Sequence, residues 1–330
     1  MPRGVLDLGQ DAMSFVIASE AEILPVAIAK SAERVRMRFL EFFTARIRNQ
    51  NTRRSYLKAA SEFLSWCDAR GARSLDTITP IHVAGWVEEM THTHSVPTVK
   101  QRLAAVRHLF DWLVTGQAMA SNPTHSVRGP RHSRKRGKTP ALSAQEARQL
   151  LDSISTETLI GKRDRALIGL MTYTFARIGA ATSMEVRDVY IQNRRLWVRL
   201  HEKGGKEVEL PCHHSLEVYL DELIEAAGLQ DMPRAPLFQT IRRGTDQLSG
   251  NPLPQANAYA MIQRRAIAAG ISTAVCNHTF RATGITAYLK NGGTLEKAAN
   301  IANHSSTRTT QLYDRRSDDV SLDEIERILI

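Results

Sequence analysis

The stretch Arg128-Gly-Pro-Arg-His-Ser-Arg-Lys-Arg-Gly-Lys138 divides this chain in two. Six of its eleven residues are Lys or Arg, none is acidic, and its only apolar side chain is one proline, so it cannot bury a face. It reads as a linker whose like charges repel one another in free solution. Against a phosphate backbone each cation could instead release a counterion, which makes the linker a candidate strap across DNA; a merely flexible joint is the other reading.

With 330 residues and 42% apolar side chains, there is enough chain for a core on each side and too much apolar content for disorder. We expect a helical extension over 1–39, a helical domain over 40–120, the basic linker over 121–140 and a second domain over 141–330. In the first domain, Tyr56, Ala59, Ala60, Phe63 and Leu64 form one stripe at helical spacing, with Thr52 placed as its cap. Gly71 ends that helix, Thr79-Pro80 opens another bearing Val83, Trp86, Val87 and Met90, and Val99, Leu103, Val106, Phe110 and Leu113 mark a third. The polar faces carry Arg53, Arg54, Lys58, Lys100, Arg102 and Arg107, which are either solvated charges or phosphate contacts.

Beyond the linker, Ser143 and Glu146 form a capping box. From 194 to 210 the period changes to two: Leu196, Val198 and Leu200 alternate with polar residues, Gly204-Gly205 supplies a tight turn, and Val208 and Leu210 alternate on the return. This predicts a β-hairpin flanked by Lys203 and Lys206. Helices are predicted near 215–227, 256–269, 279–290 and 295–302, and a capping box, Ser321 to Glu324, opens a last one.

The chain carries 44 Lys+Arg against 34 Asp+Glu, a formal charge of +10, and a sequence pI near 9.8, a field that attracts polyanions such as nucleic acid. Cys67, Cys212 and Cys276 are odd in number and far apart, so neither a disulfide framework nor a CxxC pair is available. Cys212-His213-His214, with Cys276 and His278, fits no closed zinc site. The first residues include Asp7, Asp11, Glu20 and Glu22, and Pro25 interrupts the best apolar run, so no signal peptide or membrane span is expected and the cytoplasm is the expected location.

His278 and Arg281 lie three apart at a helix start, on one face. His304 follows 23 residues after Arg281, just behind a helix with the stripe Leu295, Ala298, Ala299 and Ala302, with Asn303 in the left-handed position that ends it. Tyr313 is nine residues further, Arg177 follows the apolar run 167–175, and Lys203 sits at the hairpin tip. Taken singly, each has an ordinary reading: a packed tyrosine, a salt-bridged arginine, a solvated turn lysine.

As an ordered set, Arg177, Lys203, His278-x-x-Arg281, His304 and Tyr313 resemble the catalytic constellation of the tyrosine recombinases, the phage integrase family. Asn303-His-Ser-Ser-Thr-Arg-Thr-Thr-Gln-Leu-Tyr313 is similar to the family's segment carrying the last histidine and the nucleophile. The resemblance implies a mainly α fold with a small β-hairpin or sheet: an N-terminal helical core-binding (SAM-like) domain and a C-terminal mixed α+β catalytic domain. It implies site-specific cleavage and rejoining of double-stranded DNA on a mobile element, by a homotetramer in the synaptic complex that is monomeric in isolation, with accessory DNA-bending proteins as compatible partners. The C-terminal face of Leu322, Ile325, Ile328 and Leu329 could dock on a neighbour, as is common in the family, or pack in cis.

The chemistry suits those residue types. Attack on a phosphodiester builds charge on two non-bridging oxygens, and two guanidiniums can clamp them without a metal. Arg177 and Arg281 would be the clamp, Tyr313 the nucleophile and His278 its proton acceptor. By resemblance, Lys203 would protonate the leaving 5′ oxygen and His304 would hydrogen-bond a phosphate oxygen. No cofactor is expected. Two departures from the family pattern stand out: around Arg177, Phe175-Ala176 precedes it where the family has Gly-Leu or similar and Ala180 stands where the family has a carboxylate, with no replacement visible in the sequence; and Asn303 stands where Gly is common, a benign change because Asn tolerates the same backbone conformation. Two other readings remain, a type IB topoisomerase-like DNA-relaxing enzyme and an architectural DNA-binding protein that has lost catalysis.

Neutralising Arg131, Arg134, Lys135 and Arg136 together is expected to weaken binding across all DNA sequences. The slope of log affinity against log salt should flatten by about 0.9 for each phosphate that these cations no longer neutralise. An unchanged slope would show that the linker does not touch phosphates.

Overall fold

The structure is a computed structural model that describes residues 25–131, 137–202, 205–314 and 326. The chain forms two compact units, one running to Ser133 and the other from Arg134. The last two of the basic cluster's arginines with Lys135, the hairpin-tip Lys203, and the C-terminal face and its capping box lie outside the described residues.

The first unit is helical. Helices α1 (Val26–Ala29), α2 (Glu33–Glu41), α3 (Gln50–Ala69), α4 (Pro80–Thr93) and α5 (Val96–Thr115) surround one core. The apolar stripes expected from the sequence turn inward: Phe63 packs its ring 4.9 Å from Trp86 and 6.0 Å from Phe110. Ala27, Ile28 and Phe39 belong to the same core. Thr52 is not the cap of α3. Asn49 is, its side-chain oxygen accepting the Thr52 N–H at 3.1 Å, because asparagine caps as well as threonine and lets the helix start earlier. Thr79 and Pro80 open α4 as expected, and Gly71 (φ +86°) follows the end of α3.

The second unit builds its core around α7 (Leu159–Tyr173). Helix α6 (Ala144–Asp152), opened by the Ser143/Glu146 capping box, packs on α7. So do α9 (His214–Ala226), α10 (Gln255–Ala268) and α11 (Asn277–Lys290). Leu167, Leu170 and Met171 of α7, Leu216, Leu220 and Leu223 of α9 and Phe280 of α11 are buried together. The short helices are α8 (Ile178–Thr182), α12 (Leu295–Ile301) and α13 (Thr307–Gln311).

The hairpin expected from alternation is present as β2 (Arg195–Glu202) and β3 (Lys206–Pro211), with Glu202 opposite Lys206. A third strand, β1 (Val189–Gln192), pairs antiparallel with β2. It is illegible in the sequence because the intervening turn uses Asn193 and Arg194 at φ +51° and +63°, the positive pair of a tight hairpin turn without the glycine that usually signals it. A two-stranded sheet, β4 (Gln239–Ile241) with β5 (Leu248–Pro252), is also absent from the sequence-based expectation; its strands are too short for periodicity to register.

Two close approaches set the frame of the site. A Cβ on Gly284 of α11 would lie 2.1 Å from the Thr172 carbonyl oxygen and 2.6 Å from the Phe175 ring, so only glycine lets α11 reach the end of α7. Elsewhere, one buried carboxylate joins three elements: Asp164 of α7 accepts two bonds from Arg163, at 3.0 and 2.6 Å, and two from Arg265 of α10, at 3.0 and 2.8 Å. Arg163 also donates to the Gln239 carbonyl of β4 at 3.0 Å.

Asp164 is 2% exposed, and removing one member of a buried ion pair strands the other. Asp164→Ala should therefore destabilise the protein by about 3 kcal/mol or more, read as a lower urea midpoint for the full chain. An unchanged midpoint would show that the cluster contributes nothing.

Candidate active site

Helix α11 begins at Asn277, with Thr279 reaching back to the Cys276 N–H at 3.0 Å. That start puts His278 in the first turn and Arg281 at the beginning of the second. His278 faces solvent on one side, whereas Arg281 is 1% exposed. A guanidinium so deep needs partners, and Arg281 uses two of its five N–H donors on the backbone: Nη1 donates to the Phe175 carbonyl oxygen and Nη2 to the Ala302 carbonyl oxygen. Burial first, then the Arg177 charge, lowers its pKa to about 10, with Tyr313 and Glu202 opposing the shift.

Those two carbonyls belong to the segments that carry the other groups. Phe175 holds φ +56°, a left-handed conformation unusual for an aromatic residue, and two residues later Arg177 forms the N-cap position of α8. Ala302 ends α12; Asn303 takes φ +46° as the sequence suggests, and the His304 N–H returns to the Ala299 carbonyl at 2.9 Å. The His304 Nδ1 lies 2.8 Å from the Thr310 hydroxyl. Tyr313, just past α13, stacks on His304 with ring centroids 5.8 Å apart and planes at 13°. Its carbonyl accepts from the Thr286 hydroxyl of α11 at 2.9 Å. A small apolar cluster of Phe175, Ile285, Leu289, Ala298 and Ala302 seats the tyrosine.

Five of the six residues singled out in the sequence thus converge. The sixth, Lys203, lies outside the described residues, directly after the end of β2. Burial and then the Arg281 and Arg177 charges push His304 down to about 4, and the same causes in the same order lower His278. Both imidazoles are therefore neutral at pH 7, able to accept protons or share hydrogen bonds without adding to the positive charge.

The site holds one group that the sequence reading does not single out. Glu202, 8% exposed, places Oε2 2.5 Å from Arg177 Nη1. A signal for it exists: Leu196, Val198 and Leu200 point inward along β2, and Glu202 continues that register. A carboxylate in phase with a buried apolar face requires a cation opposite it.

The cations considered for DNA contact divide. Arg53 donates to the Ile47 carbonyl at 3.2 and 3.1 Å, Arg102 pairs with Glu62 at 2.6 Å and Arg107 donates to the Val127 carbonyl at 2.9 Å. Arg54, Lys58, Lys100 and Arg131 are exposed, Lys58 lying 3.9 Å from Glu62. Lys100, Arg107, His125 and Arg128 line one groove of the helical unit. Among the described residues no group of three His, Cys, Asp or Glu side chains is placed to hold a metal ion, and no helix is long and apolar enough to cross a membrane.

Comparison with known proteins places the chain in a family. Residues 140–319 match the model of the phage integrase family, and residues 37–117 match that of the phage integrase N-terminal SAM-like domain. The chain is 26% identical over 285 residues to tyrosine recombinase XerD of Chlorobaculum tepidum, covering 83% of this chain and 89% of that one. It is 26% identical over 296 residues to tyrosine recombinase XerC of Vibrio parahaemolyticus, covering 88% and 89%. The fold resembles the XerH site-specific recombinase bound to a palindromic difH substrate, with TM-score 0.67, 18% identity and coverage of 93% and 96%. It also resembles a lambda integrase tetramer bound to a Holliday junction, with TM-score 0.64, 15% identity and coverage of 98% and 91%. Because family models match both of its units, one of them over more than half of the chain, the chain belongs to the phage integrase family: it is a tyrosine recombinase, a DNA strand transferase of site-specific recombination.

Proposed function

We propose that the protein breaks and rejoins DNA at the ends of a mobile element through a 3′-phosphotyrosyl intermediate on Tyr313. The observation that carries this reading is the seating of Arg281. Its guanidinium is fixed by the loop before Arg177 and by the loop before His304, so phosphate binding and the nucleophile share one support. Two guanidiniums in a site where both imidazoles are neutral concentrate positive charge where a phosphodiester gains negative charge in the transition state.

In this mechanism the Tyr313 hydroxyl attacks phosphorus, the P–O5′ bond breaks and a P–O bond to tyrosine forms. His278 takes the phenolic proton, and Lys203 gives one to the departing 5′ oxygen. Arg177 and Arg281 hold the non-bridging oxygens and His304 hydrogen-bonds one of them. One phosphoester is exchanged for another, so the step conserves bond energy and runs backwards when a different 5′ hydroxyl attacks. Exchange between two sites needs two pairs of protomers, which makes a homotetramer on double-stranded DNA the working assembly. The lambda integrase tetramer on a Holliday junction, similar in fold, supports that arrangement.

Wild-type protein incubated with DNA fragments flanking its own gene, then denatured, should retain covalently bound DNA. Tyr313→Phe should retain none while binding DNA within a few-fold of wild type. Adducts at wild-type level from Tyr313→Phe would remove the tyrosine from this role, and relaxation of supercoiled plasmids lacking those fragments would favour the topoisomerase-like reading.

A further inference from the structure

We propose that Glu202 is the positioning residue of Arg177, delivering from the hairpin the carboxylate that the family pattern carries at position 180. The inference rests on the proposed reading of Arg177 as one arm of the phosphate clamp.

The two positions lie on neighbouring elements. Helix α8, which begins beside Arg177 and carries Ala180 three residues on, packs against strand β2, which ends at Glu202. Ala180 is buried in the apolar core of the second unit, so its position has no polar group to offer. Glu202 reaches Arg177 from β2, and among the described residues Arg177 is the cation its side chain pairs with. A buried carboxylate cannot remain unpaired, so each side chain fixes the other.

The geometry suits a holder rather than a competitor for the phosphate. The contact uses Nη1 alone, whereas a guanidinium carries five N–H donors in a rigid fork. The Arg177 side chain is 37% exposed, so its other donors remain accessible for a phosphate, and without Glu202 it would be free to change rotamer. The carboxylate also offsets charge, opposing the shift that burial and Arg177 impose on Arg281. Finally, the ion pair anchors the end of β2 to Arg177.

The test compares wild type, Glu202→Ala and Glu202→Gln, each also in an Arg177→Ala background. Single-turnover adduct formation is followed on a nicked duplex bearing the site mapped with wild type, and DNA binding and melting temperature are measured alongside. Glu202→Ala should slow adduct formation by about 10- to 100-fold, the penalty that a misplaced catalytic group brings, with binding within about threefold. Glu202→Gln, which keeps the shape and a hydrogen-bonding oxygen, should fall between Glu202→Ala and wild type and serves as the measured variant if alanine does not fold. In the Arg177→Ala background the substitutions should cost nothing further.

A direct readout accompanies the kinetics: in 15N-arginine-labelled full-length protein, the slowed-rotation guanidinium signal of Arg177 should vanish in Glu202→Ala. Wild-type rates from Glu202→Ala and Glu202→Gln, an equal loss with and without Arg177, or an unchanged guanidinium signal would each overturn the inference. Absence of any adduct from wild type would instead overturn the functional reading, and this inference with it.

Discussion

One guanidinium holds the catalytic unit's site together. Arg281 lies at the start of a buried helix and closes hydrogen bonds to two carbonyls far away in sequence, those of Phe175 and Ala302. Each carbonyl lies in a segment with a left-handed residue, Phe175 itself and Asn303, which turns the chain so that Arg177 follows in one case and His304 in the other. Such backbone conformations persist where the surroundings over-determine them. Here the surroundings are the absent side chain of Gly284, the ring of Phe175 above it and the apolar cluster that seats Tyr313.

This arrangement collects positive charge at a cost, because two arginines close together in a partly dry site repel each other and desolvate. The lowered pKa of Arg281 reflects both effects. The unit answers in two ways: the imidazoles of His278 and His304 stay neutral, and a carboxylate enters from β2. What remains is a surplus of positive charge that a phosphodiester would neutralise, and that is the polarity a phosphoryl-transfer site requires. The Asp164 cluster is a different device: its carboxylate is shared between Arg163 and Arg265, and Arg163 carries the link on to the Gln239 carbonyl of β4.

Much of this is legible in the sequence because it rests on local rules. Helix starts at Thr79 and Ser143, the stripes of the first unit, the β2–β3 alternation and the left-handed Asn303 all follow from near neighbours along the chain. The failures have separate causes: partners distant in sequence, a turn without the usual signal, and a competing cap residue close by. Arg102 and Arg107 read as surface cations, yet Glu62 and the Val127 carbonyl meet them. Thr52 yields its capping role to a residue three positions earlier, and β1 is hidden by a turn made without glycine. Glu202 is the instructive case: its register on β2 already requires burial, and only the absence of a carboxylate at Ala180 makes its partner worth seeking.

The central claim is that Tyr313, on the support built around Arg281, becomes covalently joined to DNA. The measurement that tests it most directly is tandem mass spectrometry of the wild-type adduct after nuclease and protease digestion. The account predicts a nucleotide linked through its 3′ phosphate to the peptide containing Tyr313, with the mass shift on the tyrosine itself. A nucleotide on any other side chain, or one joined through its 5′ phosphate, would contradict it.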